Sequence, residues 1–115
     1  MQNISLAKAI DENIDIAFHQ AINTVPFKVI YGNKKFSPLS HIGHGGVSGP
    51  AIKNMALEYG IMLREAKLRG KLVLGGGISS LDDAIERAKY ADAIALGILI
   101  NTNTKLSNEI ISYFA

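Results

Sequence analysis

Ten residues concentrate the chemistry available to this chain: His44-Gly45-Gly46-Val47-Ser48-Gly49-Pro50-Ala51-Ile52-Lys53. Three glycines precede a proline, and an apolar pattern of helical spacing follows. Glycine lets the backbone take positive φ and come close to a ligand. Proline suits the first turn of a helix, where its missing N–H costs nothing. The run therefore reads as a loop that delivers backbone amides to a helix start, a place that favours anions. Two later segments repeat the arrangement, Leu74-Gly75-Gly76-Gly77-Ile78-Ser79-Ser80 and Ala95-Leu96-Gly97-Ile98. Brought together, such amides can hold a phosphate without a lysine. The competing account is tight turns of an ordinary α/β protein.

Other side chains invite chemistry more weakly. His41 and His44 stand at His-x-x-His spacing, which suits a metal. No third histidine is near and cysteine is absent, so both read as loop histidines. His19 sits mid-strand and reads as packed rather than as a general base. Asp82, Asp83 and Glu86 are paired acids, but capping and dipole stabilisation at a helix start account for them. Lys34-Lys35 reads as a solvated turn, with attraction of an anionic substrate as the other reading. Lys53 belongs to the glycine block and also falls on a first helical turn. Asn23 is the polar group best placed for function, at the end of a strand; a strand-terminating asparagine is its competing account.

The elements that must position these residues follow from periodicity. Residues 3–13 have Ile4, Ala7 and Ile10 at helical spacing, with Ser5 or Asn3 as a cap. Ile14 to Ile22 reads as a strand ending in polar residues. Phe27-Lys28-Val29-Ile30-Tyr31 and Phe36 to Ile42, separated by Gly32-Asn33, read as a hairpin excursion and a possible lid. Residues 50–69 carry one apolar stripe (Ile52, Met55, Ala56, Tyr59, Met62, Leu63 and Ala66) and stop at Gly70. Lys71 to Leu74 and Ala93 to Leu96 are short apolar runs that suit buried parallel strands. Between them Ser80-Leu81-Asp82-Asp83 resembles a capping box, opening a helix to about Tyr90. A last helix spans roughly Thr104 to Phe114. Strands alternating with helices imply parallel pairing, and the glycines fall at the strand C-terminal ends, where α/β proteins place ligands.

Bulk composition excludes several classes. A chain of 115 residues with 48% apolar and 19% charged residues is expected to form one folded domain, 1–115, rather than a disordered segment. The net charge is +2 and no basic run is interleaved with aromatics, so nucleic acid is not an expected partner. The absence of cysteine removes disulfides, thiolate metal sites and cysteine nucleophiles. No apolar run approaches about 18 residues, so no membrane partner is expected. With no signal-peptide pattern, the expected compartment is the cytoplasm.

The blocks Ile22-Asn23-Thr24, Gly45-Gly46-Val47-Ser48-Gly49-Pro50-Ala51-Ile52-Lys53 with Ala56-Leu57, Gly76-Gly77-Ile78-Ser79 and Ala93-Ile94-Ala95-Leu96-Gly97 resemble, in order and spacing, the C-terminal part of dihydroorotate dehydrogenases. The flavin half of dihydropyrimidine dehydrogenases carries a similar block. The resemblance implies an FMN-dependent oxidoreductase of pyrimidine biosynthesis and a partial TIM barrel, namely its last three βα units. It implies that Gly49, Gly76, Gly77, Gly97 and Ile98 line the FMN phosphate and ribityl chain, and that Ile22 lies beside the flavin. Asn23 and Thr24 would touch the pyrimidine substrate. Ile98 departs from the family's usual threonine. It keeps the amide and loses a hydroxyl bond worth on the order of 1–3 kcal/mol to a charged acceptor.

The family's flavin-side lysine and its cysteine or serine base belong to the first five units, which the matched blocks do not cover. No catalytic residue is therefore assigned here, and turnover by this chain alone is not expected. Three barrel strands would leave two unpaired edges and an inner face with Val73, Ile94 and Leu96 partly in water. Self-association, or a companion chain supplying the rest of the barrel, would cover it. Two other readings remain open: a non-catalytic half-barrel module that keeps a phosphate site, and a fragment of a different barrel acting on a sugar phosphate.

Overall fold

The computed structural model describes residues 4–33, 35, 37–39 and 45–115. In chain order it contains helix α1 (Ile4–Asn13), strands β1 (Phe18–Ala21) and β2 (Val25–Pro26), helix α2 (Phe27–Tyr31) and strand β3 (Gly46–Val47). A 3-10 turn, Gly49–Ile52, runs into α3 (Lys53–Glu65). Then come β4 (Lys71–Gly75), α4 (Leu81–Ala88), β5 (Ala93–Ala95), α5 (Ile98–Thr102) and α6 (Thr104–Phe114).

The main sheet has the order β1-β4-β5 and is parallel throughout. Helix α3 packs on β1 and β4, α4 on β4 and β5, and α6 on α4 and α5. This is the α/β arrangement of a partial barrel, and the described sheet does not close. One core cluster holds Leu63, Leu72 and Leu74 under α1 and α3. The other holds Ile78, Ala84, Leu99 and Ile110 beneath α4 and α6. The inner face expected of Val73, Ile94 and Leu96 needs correction. Val73 stands opposite Ala93, but Ile94 stands opposite the core residue Leu74 and packs with Leu96 against the Ile78 and Ile110 cluster, because side chains alternate along a strand.

Three local expectations need correction. The strand read over Ile14 to Ile22 shortens to β1, because the Ile14 amide still donates to the Ile10 carbonyl at 2.9 Å and completes α1. The chain then needs the next residues to turn. Phe27–Tyr31 is a helix, not a hairpin strand; its two aromatic rings stack one turn apart, 4.6 Å between centroids. An antiparallel excursion does follow β1, but its paired strands are the ends of the segment, with Val25 opposite Val47 and Pro26 opposite Gly46. Asn3, Lys34, Phe36, His41, Ile42 and His44 lie outside the described residues. Lys35 sits over the Tyr31 ring, 5.6 Å from its centroid. Ser5 lies within the first turn of α1.

A buried carboxylate ties α1 to the sheet. Asp11 accepts hydrogen bonds from His19 Nε2 at 3.0 Å, the Arg69 amide at 2.7 Å and the Gly70 amide at 2.9 Å. The Arg69 guanidinium returns to the Asp11 carbonyl. The His19 bond above all, then the two amides, hold the Asp11 carboxyl down to about 2. His19 is thus a packed partner of Asp11, as its position in a strand suggests.

Candidate functional site

The register of the sheet brings three strand ends level. Ala21 stands opposite Leu74, and Gly75 opposite Ala95. The segments leaving these ends, together with the loop before α3, enclose a cavity of about 470 Å³. Ile22, Asn23 and Thr24 enter it after β1, and Ser48 and Gly49 from the loop before α3. Gly76 and Gly77 enter after β4, and Gly97 and Ile98 after β5. All eight residues singled out from the sequence for flavin and pyrimidine contact line this one cavity.

The glycines have separate reasons to be glycine. Gly49, Gly76 and Gly77 adopt φ of 80°, 94° and 77°, the left-handed region that side chains rarely occupy. A Cβ on Gly77 would overlap the backbone of Lys53, so this turn also lets α3 approach β4 closely. A Cβ on Gly97 would meet only open space, at the cavity wall.

Polar side chains brace the turns from behind. Ser80 caps α4, its Oγ accepting from the Asp83 amide at 3.0 Å. Asp83 returns not to Ser80, as a capping box would, but to the amide and hydroxyl of Ser79 at 3.0 and 2.9 Å. It also pairs with Lys53 Nζ at 3.3 Å. Burial works to raise the Asp83 carboxyl, but Ser79 and Lys53 outweigh it and hold it below its ordinary value. Lys53 and Asp83 therefore join the start of α3 to the start of α4. Among the described residues no cluster of three or more metal-ligating side chains occurs.

Arg87 was not singled out by sequence reasoning; there it reads as one more basic residue late in a helix. Its side chain is among the most completely buried in the chain. Nη1 donates to the Gly75 carbonyl at 2.8 Å, and Nη2 to the carbonyls of Gly76 at 3.0 Å and Lys53 at 3.3 Å. Burial pulls its pKa below the ordinary arginine value, while the Asp83 charge opposes that shift.

Chemically, the cavity offers main-chain amides and neutral side chains. No described residue accepts a hydrogen bond from the amides of Gly76, Gly77 or Gly97. Asn23 is exposed, lines the cavity and accepts a hydrogen bond at its Oδ1 from the Thr24 amide at 2.8 Å. No lining residue carries a titratable side chain. Such a donor set suits a phosphate and the edges of a neutral heterocycle.

The sequence model of the family described as dihydroorotate dehydrogenase matches residues 1–112. The chain is 40% identical over 82 residues to the catalytic subunit of dihydroorotate dehydrogenase B (NAD(+)) of Thermoplasma volcanium, a match covering 70% of this chain. It spans about a quarter (25%) of that relative's length. With the motifs in order and the matched span covering nearly every residue, the chain belongs to the dihydroorotate dehydrogenase family.

Proposed function

We propose that this chain is the FMN-phosphate-binding part of a dihydroorotate dehydrogenase-like oxidoreductase, acting on a dihydropyrimidine in pyrimidine biosynthesis. The observation that carries the reading is the gathering of Ile22, Asn23, Thr24, Gly49, Gly76, Gly77, Gly97 and Ile98 about one cavity at the ends of three parallel strands. The glycine amides hold the phosphate. Ile22 walls the ring off from water. Asn23 and Thr24 hydrogen-bond the pyrimidine and orient it. FMN held there would supply the electron acceptor for oxidation of the substrate's carbon–carbon single bond to a double bond. The described lining has no titratable group, so the proton goes to a base outside it.

The remaining barrel strands lie outside these 115 residues, and a companion chain or further copies of this one would supply them. β1 and β5 end the described sheet with free edges, and the Thermoplasma relative is a catalytic subunit by name. Among the described residues no helix is long and apolar enough to cross a membrane, which is compatible with work in the cytoplasm.

Co-expression of this chain with one carrying the first five βα units tests the proposal. A yellow complex that reduces its flavin on addition of dihydroorotate is expected. A colourless complex would overturn it and favour the non-catalytic half-barrel module, a reading that the neutral cavity lining also suits.

A further inference from the structure

Arg87 stands on α4, outside every loop that lines the cavity, and is 1% exposed. A guanidinium stays protonated in a protein, so a full positive charge lies under the Gly75–Gly77 turn. Buried arginines ordinarily answer a carboxylate. None of the ion pairs among the described residues includes Arg87. Its donors go instead to three main-chain carbonyls, and Nε has no partner among the described residues. The charge is therefore held directly by neutral acceptors, with the Asp83 carboxylate acting on it through space without an ion pair.

The geometry of the peptide unit gives this contact a consequence. In a trans peptide the C=O and the following N–H point in opposite directions. The Gly75 carbonyl shares its peptide with the Gly76 amide, and the Gly76 carbonyl with the Gly77 amide. Arg87 grips both carbonyls, at 2.8 and 3.0 Å. Both amides are thereby turned away from Arg87, and no described residue accepts a hydrogen bond from either. Gly76 and Gly77 line the cavity on that side.

We propose that Arg87 is the positioning residue of the anion site. Its guanidinium fixes the two peptide planes of the glycine turn and sets a buried positive charge behind them. The site then prefers a phosphate monoester over an uncharged ligand of the same shape. The identity of the ligand rests on the flavin reading above.

The test compares FMN, riboflavin (which lacks the phosphate) and inorganic phosphate. Binding is measured to the wild-type chain, Arg87→Met and Arg87→Lys, in the assembly in which the chain is isolated. Removing charge-assisted support should weaken FMN by about tenfold or more in Arg87→Met. Riboflavin should change by less than about twofold, and Arg87→Lys, which keeps the charge but not the fork, should fall between. Should Arg87→Met fail to fold, the same unequal loss in Arg87→Lys carries the test. Equal losses for FMN and riboflavin would overturn the role of Arg87 and leave the flavin reading intact. A wild-type protein that binds phosphate but no flavin would overturn the flavin reading alone, and the phosphate titration of the variants would then decide for Arg87. Wild-type protein that binds neither would overturn both.

Discussion

The backbone of Lys53 lies against Gly77 so closely that no other residue fits there: a Cβ on Gly77 would overlap the Lys53 main chain. The left-handed φ of 77° adds a second obstacle. Gly77→Ala is expected to cost about 2 kcal/mol or more and to lower the urea midpoint. Gly97 offers the contrast, because a Cβ there meets only open space. Gly97→Ala should leave stability within about 1 kcal/mol of wild type while weakening FMN. A pair of denaturation curves beside two flavin titrations separates the roles, and equal stability losses would contradict them.

Acid should loosen α1. The Asp11 carboxyl is lowered from an ordinary 3.8 to about 2, by the His19 hydrogen bond first and then by the Arg69 and Gly70 amides. A depressed carboxylate pKa stabilises the fold above its unfolded value and loses that contribution as pH falls through the folded value. The contribution is therefore complete above about pH 5 and is lost progressively as pH falls through about 2. Asp83 and Asp92 are shifted the same way, Asp92 chiefly by the Leu72 amide. Asp11→Asn should flatten part of the fall in melting temperature over this window. An unchanged pH profile would show that Asp11 is not among the groups responsible.

Asn23 should separate substrate from cofactor. It stands at the cavity mouth beyond β1, while the glycine amides lie after β4 and β5. In the assembled enzyme Asn23→Ala is expected to lower kcat/KM for dihydroorotate by roughly ten- to a hundredfold, the loss of one or two hydrogen bonds. FMN affinity should stay unchanged. A matching loss of flavin would instead put Asn23 at the cofactor.

What the sequence disclosed depended on how local the cause was. The last helix was readable to its bounds, Thr104–Phe114, because one apolar side and flanking polar residues define it. The glycine turns were readable because a residue without a side chain at a strand end has few other uses. Phe27–Tyr31 misled, since β-branched and aromatic residues favour strands while the aromatic pair one turn apart favoured a helix. α5 was missed, being little more than one turn held by bonds such as Thr102 Oγ1 to the Ile98 carbonyl. Asp11 with Arg69 and Gly70 joins positions far apart in the chain. Arg87 looks like any helical arginine until the fold puts the Gly75 carbonyl beside it. No spacing rule announces either contact.

The central claim is that separate turns present their amides to one phosphate. Backbone amide shifts followed by NMR during an FMN titration report on it residue by residue. The amides of Gly76, Gly77, Gly97 and Ile98 should move together and saturate at one affinity, with smaller changes for riboflavin. FMN that binds while those amides stay in place, or that moves only one of the turns, would contradict the account.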